Sequence, residues 1–272
     1  MLLFPNGKIN LGLQVTGKRK DRFHDIASVF LPIPWQDALE IIEAPELTLQ
    51  VSGNTIPGDA KKNLCILAWN LLKADFPQLP PVSIYLHKTV PAGAGLGGGS
   101  SNGAFMLKAL NNQFKLGIST ARLIKYALQL GSDCPFFIQN TPALATSRGE
   151  ILDPLNLNLT GNWLVLINPG IHVNTGWAFN QIQPAALQVD LKEIMQLSPS
   201  EWETAGLKNI FQQPVFTHFP EIATAHKMLV HAGASYAAMS GSGSTCFGLF
   251  TTEPSINKKS MPQSWIFQQW QL

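Results

Sequence analysis

The segment PAGAGLGGGSSNGA, Pro91 to Ala104, constrains this chain more than any other stretch of its 272 residues. It follows the alternating run VSIYLHK (Val82 to Lys88) and precedes Leu107, Leu110 and Phe114, which are spaced for one face of a helix. The spacing predicts a strand, a glycine-rich turn, and a helix that opens near Ser100. A helix start presents unpaired backbone N–H groups and the positive end of the helix dipole. Gly93, Gly95, Gly97, Gly98 and Gly99 carry no side chains to hold a phosphate away, so the segment reads as an anion cradle.

Glycine motifs that bind phosphate differ in the residues on their C-terminal side. Gly93, Gly95 and Gly98 satisfy GxGxxG, but a dinucleotide fold needs an acidic ribose ligand about 20 residues further on. Residues 99–132 contain no acid. A Walker loop needs Lys and then Ser or Thr after its last glycine, whereas Ser100 comes directly after Gly99. A mere flexible turn has no need to abut a helix start. The cradle therefore belongs to another phosphate-binding type.

The rest of the chain reads as mixed α+β. In KINLGLQV, Ile9, Leu11, Leu13 and Val15 alternate with Lys8, Asn10, Gly12 and Gln14, which predicts a strand with Lys8 and Asn10 on its polar face. Leu47 to Val51 repeats the alternation, and Trp163 to Gly170 reads as a buried strand ended by a turn. Ser119 and Gly131 bracket a helix as N-cap and left-handed stop, with Asp133 just beyond it. Pro220 and Gly233 bracket another. The polar stretch Asp153 to Asn162 suggests two domains, 1–155 and 156–272.

Composition narrows the partners. A net charge of +2 with scattered Lys and Arg offers no nucleic-acid-binding face, though mild basicity suits an acidic substrate. Cys65, Cys134 and Cys246 are too few and too far apart for a disulfide framework or a CxxC pair, which fits a reducing cytoplasm. No run reaches the roughly 18 apolar residues of a membrane span, and the N-terminus lacks the pattern of an export signal. The histidines form no metal-ligand spacing, so no dedicated protein metal site is expected.

Three segments together, PNGKINLGL (Pro5 to Leu13), PAGAGLGGGSSNGA and MSGSGSTCFGLF (Met239 to Phe250), resemble the GHMP kinase superfamily in content and in order. The KxN of the first motif, DRFHDI (Asp21 to Ile26), GLGGGSSN and GSDCPFF (Gly131 to Phe137) are most similar to members that phosphorylate a cytidine diphosphate alcohol. The resemblance implies a two-domain GHMP kinase fold. Its N-terminal domain is like domain 2 of ribosomal protein S5, and its C-terminal domain is ferredoxin-like. The chain departs from the pattern at Asn6-Gly7, where Ala usually precedes the Lys. It departs also at Arg22-Phe23, where Gly-Tyr is usual, and in the tail WIFQQWQL.

The resemblance also implies roles. Asp133 orients or deprotonates the acceptor hydroxyl and Lys8 stands beside it, although by position alone the first reads as a turn aspartate and the second as a solvated lysine. ATP would be held by Pro91, Ala92, Gly93, Ala94, Gly95, Leu96, Gly97, Gly98, Gly99, Ser100 and Ser101, with Asn63 and Lys88 at the adenine end. Mg²⁺ would arrive with ATP, and the Ser100 or Ser101 hydroxyl could reach it. Asn10, Phe23, His24, Thr175 and Phe179 would hold the acceptor, the rings taking the cytosine. A homoserine or mevalonate kinase, or a catalytically silent binding protein of the same fold, are the competing readings. Both monomer and homodimer remain open.

Overall fold

In a computed structural model of the chain the alternating run around Lys8 becomes a strand of 13 residues, Asn6–Lys18. The structure describes residues 1–21 and 23–272, Ser260 by its backbone alone, so Arg22 of the DRFHDI segment lies outside the described residues. Both faces of the strand are buried from Asn6 to Leu13, not the apolar face alone. Lys8 and Asn10 are therefore interior polar groups, and interior polar groups require partners.

The chain divides into two compact units that alternate along the sequence. The first comprises Met1–Lys8, Pro32–Ala92 and Gly97–Thr141, and the second Ile9–Leu31, Gly93–Leu96 and Pro142–Leu272.

The first unit holds a sheet in the order Leu2–Leu3, Ala38–Glu43, Val82–Lys88, Thr48–Gly53. Its last pair is parallel. Parallel neighbours need a crossover, and the helix Leu64–Asp75 lies between those two strands in the chain. Leu39, Ile41, Val82, Ile84 and Leu86 are buried along the sheet. The glycine-rich helix spans Gly98–Gln113, two residues earlier than expected, because Gly97 takes the left-handed conformation (φ 66°) as its N-cap and starts the coil there. Ser119 caps Thr120–Leu130 by accepting from Arg122 N. Gly131 is extended rather than left-handed, so the chain runs straight on to Asp133 at the N-cap position of a short helix, Cys134–Gln139.

The second unit holds an antiparallel sheet in the order Tyr236–Met239, Cys246–Phe250, Trp163–Asn168, Ile266–Gln271. The divergent tail thus supplies an ordinary edge strand. The helix Pro220–His231 buries Ile222, Ala225 and Leu229 in one core with Val165, Ile167, Cys246 and Phe250. A third sheet runs Asn6–Lys18, His24–Gln36, Ala143–Ser147, Ile151–Pro154. Its register of Ile26 to Phe30 against Ser147 to Ala143 belongs to the second unit. Helices and strands intermix as the α+β reading expects. Among the described residues no helix is long and apolar enough to cross a membrane.

Candidate active site

In the first unit the Lys8 ammonium lies 3.5 Å from Asp133 Oδ2. The lysine side chain is 5% exposed and the aspartate 33%. Although Asp133 occupies an N-cap position, its side chain makes no capping bond and its backbone is already helical. The carboxylate is thus not engaged by its own helix start. A Cβ added at Gly97 would sit 3.3 Å from Lys8 Cε and 3.0 Å from Phe137 Cζ. With φ at 66° and so little room, glycine is the residue that fits where the helix Gly98–Gln113 starts beside Lys8. Asn6, one of the departures noted in the sequence, accepts from Asn140 Nδ2 at 2.7 Å and so ties the strand to the far end of the helix that Asp133 opens.

Two serines come after the glycines in that helix. Ser101 is fully buried and its Oγ has no hydrogen-bond partner among the described residues. A buried hydroxyl left so costs roughly 1–3 kcal/mol unless a ligand satisfies it. Ser100 reaches the Cys134 thiol. Burial pushes that thiol up to about 12, with the Ser100 hydroxyl opposing the rise and the Asp133 charge adding to it. The thiol stays protonated and cannot act as a nucleophile near neutral pH.

Lys88 is not the solvated strand end that its position suggests. It is buried, pairs with Asp37, and donates to Asn102 Oδ1 at 3.0 Å. Asn63 caps the helix Leu64–Asp75 by accepting from Cys65 N at 2.9 Å. Asn63, Lys88, Ala92 and Gly99, all expected at the nucleotide, line one cavity of about 140 Å³ together with Asn102. Sequence reasoning missed Asp37 and Asn102. The one signal for Asp37 is a carboxylate set between the apolar runs that end at Trp35 and restart at Ala38.

In the second unit Asn10 is held from two sides. Its backbone N donates to Ser240 Oγ at 3.2 Å and its Nδ2 to Ser28 Oγ at 2.9 Å. Ser240 Oγ donates in turn to Gly95 O at 2.8 Å, and Thr245 N to Ala94 O at 3.2 Å. The Met239–Phe250 segment is thus a hairpin whose turn packs on the glycine-rich residues. At Gly95 (φ 79°) a Cβ would fall 2.0 Å from Ser240 O, which no side chain tolerates. Ser28 was likewise not legible in advance, whereas Ser240 lies in the Met239–Phe250 motif read from the sequence.

The expected acceptor residues are only partly together. The His24 and Phe179 rings stack at 4.6 Å with 19° between planes, and Phe179 meets the edge of Phe211. Thr175 Oγ1 lies 3.1 Å from Ser242 Oγ. Phe23 is half exposed, and its ring carries the Arg148 guanidinium at 4.6 Å.

Transfer of a phosphoryl group to an alcohol requires backbone donors at a helix start, a cation, and a group that orients the hydroxyl. The Lys8–Asp133 pair beside the glycine-rich helix start suits a small-molecule kinase. The profile for the GHMP kinases N terminal domain matches residues 63–141, and that for GHMP kinases C terminal matches 182–260. The chain belongs to the GHMP kinases, and it has their two-domain fold. It is 47% identical over 98% of both chains to the 4-diphosphocytidyl-2-C-methyl-D-erythritol kinase of Bacteroides fragilis. It is 48% identical to the Cytophaga hutchinsonii enzyme of that name, over 93% of this chain and 94% of the relative. A crystal structure of a 4-(cytidine 5'-diphospho)-2C-methyl-D-erythritol kinase superposes with a TM-score of 0.77 at 30% identity, covering 92% of this chain and 90% of the other. The homoserine kinase of Cytophaga hutchinsonii, at 15% identity, 97% and 93% coverage and a TM-score of 0.65, shares the fold alone.

Proposed function

We propose that the chain phosphorylates the 2-hydroxyl of 4-diphosphocytidyl-2-C-methyl-D-erythritol with ATP, in the non-mevalonate route to isoprenoid precursors. The observation that carries this reading is the likeness of 47% over 98% of both chains to a kinase of that name. The local geometry carries the mechanism.

The acceptor oxygen bonds to the γ-phosphorus, the bond from that phosphorus to the β-bridging oxygen breaks, and ADP leaves. Asp133 orients the hydroxyl or takes its proton, while Lys8, 3.5 Å from the carboxylate, stabilises the charge that develops on oxygen. The backbone N–H groups at the start of Gly98–Gln113 clamp the phosphates. Mg²⁺ arriving with the nucleotide would supply neutralisation of phosphate charge. Among the described residues no group of three or more His, Cys, Asp or Glu could hold a metal ion, whereas the orphaned Ser101 hydroxyl, or Ser100 beside it, suits one that arrives on the nucleotide.

The His24–Phe179 stack supports a cytosine site, the base lying on the stack with Asn10 and Thr175 nearer the alcohol. Phe23 would close over the base from the Arg148 side. The two family profiles fall on either side of residue 155, in keeping with domains of 1–155 and 156–272, whereas the compact units join Ile9–Leu31 and Gly93–Leu96 to the chain from Pro142 onward. Three buried, free cysteines suit a cytoplasmic location.

The test is a panel of alcohols with labelled ATP. Phosphorylation of the cytidine diphosphate alcohol, with competition by cytidine diphosphate and much less by uridine diphosphate, is the expected result. Transfer to homoserine or mevalonate instead would overturn the substrate, and transfer to no acceptor would overturn the enzyme.

A further inference from the structure

Asp37 is 1% exposed, yet the catalytic reading gives it no task. Its two oxygens serve different partners. Oδ1 accepts from Thr89 N at 2.8 Å and Val90 N at 2.9 Å, the backbone that leads into the glycine-rich segment. Oδ2 accepts from Lys88 Nζ and from Asn102 Nδ2, the latter at 2.9 Å. Asn102 is thereby oriented so that its own Oδ1 accepts from Lys88 at 3.0 Å. An ammonium has three donors and a carboxamide two. Lys88 spends two of its three within this cluster, and the third remains for a ligand in the cavity that Lys88 and Asn102 line. A Cβ at Gly98 would stand 3.3 Å from the same Nζ, so the cluster also abuts the first turn of the phosphate-binding helix.

We propose that Asp37 is the positioning residue of the nucleotide end of the site: it holds the Lys88 ammonium and the Asn102 carboxamide in one fixed arrangement against ATP. This rests on the reading of Lys88 and Asn63 as contacts of the adenine end. The asymmetry of the carboxylate makes the idea testable. In Asp37→Asn the Oδ1 position still accepts from both backbone N–H groups, but a new NH₂ faces the Lys88 and Asn102 donors. Lys88 must move or Asn102 must turn over. In Lys88→Met the conflict disappears, because Asn102 can then turn its carbonyl toward the amide introduced at position 37 without losing a partner.

Steady-state kinetics on the full chain, with both substrates varied, distinguish the outcomes. Asp37→Asn should raise KM for ATP about tenfold or more, with kcat at saturating ATP and KM for the acceptor within about threefold of the parent enzyme. Lys88→Met should raise KM for ATP similarly, and Asp37→Asn added to Lys88→Met should add little, the signature of two residues acting as one. A general fall in kcat together with a rise in both KM values would make Asp37 merely structural and overturn the proposal. If Lys88→Met raises KM for ATP while a folded Asp37→Asn does not, positioning by Asp37 fails and the adenine-end reading survives. An unchanged KM for ATP in Lys88→Met overturns both. Should Asp37→Asn alone not fold, the double variant decides: the KM of Lys88→Met supports the proposal, and a further tenfold rise or a lost kcat overturns it.

Discussion

Lys88 with Asp37 and Lys8 with Asp133 are the same chemical pair built to opposite ends. The first is sealed, its side chains 2% and 0% exposed, and its carboxylate is surrounded by two backbone and two side-chain donors. The second is half open, the lysine covered, the aspartate one-third exposed and 3.5 Å away. A carboxylate saturated with donors inside the protein has no lone pair to offer a substrate and holds its neighbours still. One that its own helix does not engage can meet an incoming hydroxyl. Local structure makes the difference. Asp37 sits where two strands join and is reached by the backbone of Thr89 and Val90, whereas Asp133 stands at the head of a six-residue helix.

The comparison breaks most visibly at the open pair. Asp133→Asn should lower kcat by about a thousandfold, as loss of a positioned acid–base group does, while calorimetry finds ATP affinity nearly unchanged and thermal unfolding shifts by less than about 1 kcal/mol. Near-normal turnover at saturating substrate would remove Asp133 from the chemistry. At the sealed pair the expectation is inverted. Asp37→Ala strands a buried ammonium and two backbone N–H groups and should cost about 3–5 kcal/mol in denaturant unfolding. A cost as small as that of Asp133→Asn would show that the two pairs do not differ as described. The smallest effect sharpens the contrast. Gly98→Val puts a Cβ 3.0 Å from Val90 Cγ1 and 3.3 Å from Lys88 Nζ while leaving Lys8 and Asp133 alone. It should weaken ATP binding about tenfold in a protein that still folds, and an unchanged dissociation constant would place the nucleotide elsewhere.

Features that depend on neighbouring residues could be read directly. The helix Thr120–Leu130 lies where Ser119 and the apolar spacing put it. The glycine-rich helix start was off by only two residues, because a left-handed Gly97 begins the turn before the first serine. The strand Asn6–Lys18 was also visible, but the polarity of its second face misled: Lys8 and Asn10 look solvent-facing until their partners are known, and Asn10's partner Ser240 is 230 residues away. The rings show the same limit. His24 and Phe179 meet in a stack, while Phe23, one residue earlier, meets Arg148 instead.

By itself, then, the sequence determined the strands, the helix starts and the glycine-rich turn, since backbone propensity, capping and apolar periodicity act over a few residues. Its motif order and near-full-length likeness determined the family as well. Only the tertiary structure decided that Asp37 is sealed and that Asp133 is one-third exposed. The charge of a lysine is the same in both places. The difference lies in how much solvent and how many donors the fold leaves around the aspartate, and the side-chain donors to Asp37 come from Lys88, 51 residues away, and from Asn102, 65 residues away. Burial and hydrogen-bond saturation are sums over contacts distant in the chain, which no local pattern encodes.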